Sequence, residues 1–243
     1  FIFGKGISVG GGDKNPIDEH KKIDVSLDSK KKALSAYELK YSENFTRNLE
    51  YVHRPRKIEL FKAPILLVGK GVTTDYKAKS AISYIDVVFT DAITSIKPLN
   101  NDLHFIKFLL ALFNSNLFSY FMLQTNSSLG IERKQSHDKE DKFAMPIIFD
   151  NKDLKFIDKV ERLEKLISEK HHIAFMDYQF QVINEEINLL YDEIDLLLIN
   201  QYKLNNQEKS LVDYTLNISI PLRTNKKYNE IFRKLIPNDK VLE

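Results

Sequence analysis

FKAPILLVGKG (Phe61–Gly71) and FIKFLLALFNSNLFSYFM (Phe105–Met122) are the stretches whose reading decides the fold. In the first, Ile65 to Val68 form an uninterrupted apolar run, preceded by Pro64 and closed by Gly69 and Gly71. Such a run between chain breakers predicts a buried strand. In the second, Phe105, Phe108, Leu109, Leu112, Phe113 and Leu117 recur at helical spacing and predict a helix covering a sheet. The turn formers Asn100-Asn101-Asp102 start that helix, and Asn114-Ser115-Asn116 interrupts it. Between the two, SYIDVVFTDAITSIKPL (Ser83–Leu99) predicts a strand pair with Val87, Phe89, Ile93 and Ile96 turned inward. KFAMPIIF (Lys142–Phe149) reads as a short proline-centred strand. The class implied is α+β: a small mixed or antiparallel β domain with covering helices, followed by long helices.

Residues 1–20 are rich in Gly, Asp and Lys and read as a short strand and then a loop. The segment to Glu59 carries the clusters Lys21-Lys22 and Lys30-Lys31-Lys32 without clean periodicity, and reads as loop and short elements. After Asp150 the chain changes character, with no Gly from Asn151 onward and no Pro before Pro221. Met176, Phe180, Ile183, Ile187, Leu190, Ile194 and Leu197 follow one another at intervals of 4, 3, 4, 3, 4 and 3 residues. This is a coiled-coil-like seam, expected to dock on another module. An earlier seam, Phe156, Val160, Leu163 and Ile167, is out of phase with it. The slip near His171-His172 implies either a helical hairpin or a stutter in one helix about 75 Å long. A shorter helix is expected from Asn205 or Asn206, with Glu208 placed for a capping box. Three regions follow: an α+β domain over 1–150, a helical segment over 151–222, and over 223–243 a tail or the start of a further segment.

The chain has 243 residues, 43% hydrophobic and 29% charged, which is ordinary for a globular protein. It holds no cysteine, so disulfides, thiolate metal sites and cysteine nucleophiles are excluded, in keeping with a cytoplasmic setting. The start lacks the pattern of a secretory signal, and Phe105–Leu123 carries too many polar residues for a membrane span. Position 1 is Phe, from which we expect either a piece of a longer polypeptide or a start at the first ordered residue.

The net charge of +2 conceals an asymmetry. From Arg47 to Lys79, eight cations (Arg47, Arg54, Arg56, Lys57, Lys62, Lys70, Lys77 and Lys79) stand against Glu50, Glu59 and Asp75. From Asp153 to Asp195, eleven acids stand against five cations. A basic half followed by an acidic one is consistent with a polyanion meeting the first half, and equally with clustering on solvated faces.

The order of these signals resembles the target recognition domain of restriction–modification adenine DNA methyltransferases, the TaqI-like specificity domain, in type IIG or type I-like settings. The resemblance is carried by Phe61, Pro64, Ile65–Val68 and Lys70, by Tyr84–Phe89, and by Leu109, Leu110, Asn114 and Ser115. Further along it is carried by Arg133, Lys134 and Gln135, by Ala144–Ile148, and by the tail-like segment Glu193–Leu216. It covers roughly residues 55 to 216 and rests on order and spacing.

It implies a protein that binds specific double-stranded DNA and presents it to a separate methyltransferase catalytic domain or subunit, in a restriction–modification or phage-exclusion system. S-adenosylmethionine would belong to that catalytic part. A fused nuclease is left open, and no cofactor is expected in this chain. The chain departs from an adenine methylase in lacking any Pro-Pro pair; Asn15-Pro16-Ile17 has neither the second proline nor the aromatic of the catalytic loop. The glycine-rich start (Gly4, Gly6, Gly10–Gly12) lacks the strand–turn–helix context of a nucleotide site.

Candidate DNA contacts are Arg54, Arg56, Lys57, Lys70, Lys77 and Lys79 around the first strand, and Arg133, Lys134 and Gln135 in the later loop. Lys and Arg meet phosphates, whereas Arg, Lys and Gln can read base edges. No catalytic set is expected. His171-His172 lacks a third metal ligand, and Glu38-Leu39-Lys40 downstream of Asp24 or Asp28 is too common a pattern to read as a nuclease. An alternative in another class is a helical interaction or scaffold module without DNA specificity.

Overall fold

A computed structural model describes residues 1–6, 33–34, 57–72, 78–89, 93–125, 144–149, 154–173 and 178–223. The class is α+β, as expected. The strands are β1 (Ile2–Lys5), β2 (Ala33–Leu34), β3 (Ile65–Val72), β4 (Ala78–Ser83), β5 (Val88–Phe89) and β6 (Ile93–Lys97). The helices are α1 (Leu103–Asn114), α2 (Asn116–Thr125), α3 (Leu154–His171), α4 (Tyr178–Gln201), α5 (Asn206–Tyr214) and α6 (Ile220–Arg223), with a π segment, Thr215–Ser219, joining the last two. A 3-10 turn, Ile58–Phe61, precedes β3.

The main sheet is antiparallel with strand order β1-β6-β3-β4. Alternate residues of the Ile65–Val68 run face opposite ways. Leu66 and Val68 join the core beneath α1, whereas Ile65 and Leu67, with Leu60, Phe61, Phe89 and Ile93, are buried outside that cluster. There Phe61 and Phe89 pack at 4.9 Å between ring centroids. Both faces are covered, which is why the run shows no polar alternation.

Val87, Phe89, Ile93 and Ile96 are buried as expected, but β5 and β6 do not pair with each other. β5 lies parallel to β2, and β6 sits between β1 and β3. The expected strand over Lys142–Phe149 is also absent from its described part, 144–149. Instead of a ladder, the carbonyls of Pro146 and Ile148 accept from Tyr202 Oη at 2.5 Å and Gln201 Nε2 at 2.7 Å. Proline supplies no N–H for a ladder, and side chains at the end of α4 take up the acceptors instead.

Asp102 caps α1, accepting from the Phe105 N–H at 3.1 Å. The expectation that α1 presents one apolar face falls short: every residue from Ile106 to Phe113 is buried, because α3 covers the side away from the sheet. Each such large apolar side chain contributes about 2 kcal/mol on burial.

α3 and α4 form a hairpin rather than one long helix. Lys159 pairs with Glu193, Arg162 with Glu186, and Lys170 with Asn184, so one number falls as the other rises. One hydrophobic cluster runs from Leu66 in the sheet to Ile220 in α6, joining the helices to the β layer. Asn205 begins α5 with the expected capping box: its Oδ1 accepts from the Gln207 and Glu208 N–H groups at 2.9 and 3.0 Å, and Glu208 accepts from its N–H at 2.7 Å.

Candidate nucleic-acid interface

The β3–β4 pairing slips between Val68/Ser80 and Val72/Ala78, and Lys70 and Lys79 both lie in this irregular stretch. Antiparallel pairing therefore brings the backbone positions of two of the candidate lysines to one end of one hairpin. Lys57 stands exposed at the start of the 3-10 turn, which packs on the β1 and β6 side of the sheet. The fold thus groups Lys70 with Lys79 and leaves Lys57 on the other half. Arg54, Arg56, Lys77, Arg133, Lys134 and Gln135 lie outside the described residues, as do Glu38-Leu39-Lys40 and the glycine-rich loop at 10–12.

Lys62 of the basic half and Lys97, which lies beyond it, have internal partners. Lys62 pairs with Asp86 at 2.7 Å, while Lys97 Nζ donates to the Lys62 carbonyl at 2.9 Å. Both hold the entry to β3, and the basic surplus overstates the charge free to meet a ligand.

The helical seam turns inward. Ile187 and Ile194 are buried, and Phe180, Ile183, Leu190 and Leu197 are half-buried. Apart from Phe180, all of these belong to the common core, as do Phe156, Val160 and Leu163 of α3. Met176 lies outside the described residues.

The interruption at Asn114-Ser115-Asn116 is a built joint, with α1 and α2 meeting at 64°. Asn114 Nδ2 donates to the Leu110 carbonyl at 2.9 Å. Ser115 Oγ donates to the Leu112 carbonyl at 2.6 Å and accepts from the Phe118 N–H at 3.0 Å, ending one helix and starting the next. The N–H of Asn116 donates to Asp195 Oδ1 on α4 at 2.8 Å. The third segment meets the same unit, since Phe149 packs on Phe105 and Phe108 at 5.4 and 5.3 Å between centroids.

A polar cluster beside this unit escaped the sequence reading. Lys107, buried in α1, pairs with Glu161 of α3. One turn further along α3, both oxygens of Glu164 accept from Tyr84 Oη at 3.0 Å. Burial holds the Glu164 carboxyl above its usual range, against the lowering effects of the Tyr84 hydrogen bond and Lys107. Burial and the Glu164 charge likewise push the Tyr84 phenol up. The available signal was a lone lysine inside an apolar helix, since a cation there requires a partner.

Among the described residues no group of three His, Cys, Asp or Glu side chains converges as a metal site. No single helix among them is long and apolar enough to cross a membrane.

No family model and no curated protein matches this chain. Among solved structures, the type IIL restriction–modification enzyme MmeI in complex with DNA is similar with a TM-score of 0.43 and 11% identity. The similarity covers 72% of this chain and 23% of that enzyme, so the chain spans less than a quarter of its length.

Proposed function

We propose that this chain is a sequence-specific double-stranded DNA recognition domain of a restriction–modification or phage-exclusion adenine methyltransferase system, working in the cytoplasm. The carrying observation is that three of the stretches on which the resemblance to a TaqI-like specificity domain rests, far apart in sequence, pack into one unit. β3 lies under α1, the Asn114-Ser115-Asn116 joint bends α2 away from it, and Phe149 sits against Phe105 and Phe108.

In this reading Lys70 and Lys79 meet phosphates, and Arg133, Lys134 and Gln135 approach base edges. Arg54, Arg56, Lys57 and Lys77 add to the electrostatic footprint. The domain holds the duplex while a separate catalytic domain or subunit, carrying S-adenosylmethionine, takes the adenine out of the stack.

Selection from randomised DNA duplexes at low salt, followed by salt titration of the enriched sequences, tests this. Enrichment of one motif, with affinity falling steeply as salt rises and lost in Arg133→Ala/Lys134→Ala, supports the reading. No binding at any salt rejects it and favours the alternative of a helical interaction module.

A further inference from the structure

α4 carries two heptad-spaced faces, and the core uses one. On the other, Tyr178, Val182, Glu185, Leu189, Asp192 and Leu196 follow at intervals of 4, 3, 4, 3 and 4 residues, the repeat of a second seam. All six are exposed, with Tyr178 at 80%, Leu189 at 63% and Leu196 at 55%. Residues seven apart drift by only about 20° around a helix, so Val182, Leu189 and Leu196 form one line along it. Exposed single apolar residues are ordinary, but a line of them over two heptads is not.

The charges beside the line indicate what covers it. On one flank Glu186 and Glu193 are neutralised by Arg162 and Lys159 of α3. Within the seam itself, Glu185 and Asp192 make no ion pair among the described residues. A second copy of this helix is a poor occupant. In parallel it would set Glu185 and Asp192 against their own copies, and antiparallel it would set them against leucine. A helix with apolar residues facing the Val182–Leu189–Leu196 line and Lys or Arg facing the two acids satisfies both demands.

From this juxtaposition we infer that the outer face of α4 docks a basic amphipathic helix of a partner protein. The inference stands apart from DNA recognition, because it involves none of the candidate DNA contacts.

Two three-heptad helical peptides test it, both with leucine along the apolar line and with either lysine or glutamate at the remaining seam and flanking positions. Each is titrated against the full chain by fluorescence anisotropy. The lysine peptide is expected to bind about tenfold or more tightly than the glutamate peptide, with the advantage shrinking as salt rises. Leu189→Ser should abolish binding of the lysine peptide, and Glu185→Lys/Asp192→Lys should reverse the preference. Because all these positions are exposed, thermal melts should match the unaltered chain. Equal binding of the two peptides, no binding, or binding indifferent to Leu189→Ser overturns the inference. Concentration-dependent self-association that disappears in Leu189→Ser also overturns it, assigning the face to a second copy. DNA selection on the same variants should be unchanged, which separates failure here from failure of the DNA reading.

Discussion

Asp195 on α4 accepts a hydrogen bond from the backbone N–H of Asn116 at 2.8 Å, capping a helix that begins 79 residues earlier in the chain. Asp195 is buried, and its carboxylate sits where α2 has N–H groups unsatisfied by its own backbone. The hairpin of α3 and α4 is thereby fixed to the joint between α1 and α2 by a directional bond as well as by apolar packing.

Asp195→Ala should destabilise the chain by about 2 kcal/mol, because a buried N–H loses its acceptor. Asp195→Asn keeps an acceptor and should cost less. Urea denaturation checks both. The Asn variant should also lower the Tyr191 phenol, which burial first and the Asp195 charge second hold above the usual range; an ultraviolet titration reads that change.

Ser115→Ala should cost about 1–2 kcal/mol, since one hydroxyl both accepts from Phe118 and donates to Leu112. Thermal denaturation should show a lower midpoint at unchanged helical content. A midpoint equal to that of the unaltered chain would mean that the packing of α2 holds the bend without the cap.

Lys107 and Glu161 should respond unequally. Removing the acid by Glu161→Ala leaves a buried ammonium without its partner, at a cost of about 1 kcal/mol because Glu161 itself is half-exposed. Lys107→Met places an apolar chain of similar length in an apolar environment and should be neutral or stabilising. Denaturant midpoints of the two variants should therefore move in opposite directions or differ clearly in size.

Glu164 links stability to pH. Its carboxyl is raised in the folded chain, so the proton is bound more tightly folded than unfolded. That contribution is fully present below the ordinary glutamate range and is lost as pH rises through the folded value. Glu164→Gln, which still accepts from Tyr84, should therefore be more stable than the unaltered chain near pH 7. The advantage should close as pH falls below about 4. Thermal midpoints at the two pH values decide it, and an advantage that grows on acidification would contradict the assignment.

The proposed interface is less legible than the fold for a physical reason. Helices and strands announce themselves by apolar periodicity, which packing enforces, whereas a DNA-reading residue needs only charge or hydrogen-bonding capacity in the right place. Lys62 looks as suitable in sequence as the candidate lysines around it, and only its tertiary contact with Asp86 shows that it has an internal partner. Seam spacing was equally ambiguous, because α4 carries two heptad patterns and periodicity does not say which one meets α3.

The sequence by itself determined those elements settled within a few residues. Ile65–Val68 read as a buried strand, Asn100-Asn101-Asp102 as the start of a helix, Asn114-Ser115-Asn116 as its break, and Asn205 or Asn206 with Glu208 as the capped start of another, since capping and periodicity act over one or two turns. Tertiary structure alone decided what depends on groups brought together from afar. The partner of Lys107, the cap on Asn116, the separation of β5 from β6 and the irregular course of 146–149 all belong here. In each, a donor, acceptor or charge is satisfied by a group dozens of residues away, where local pattern carries no information.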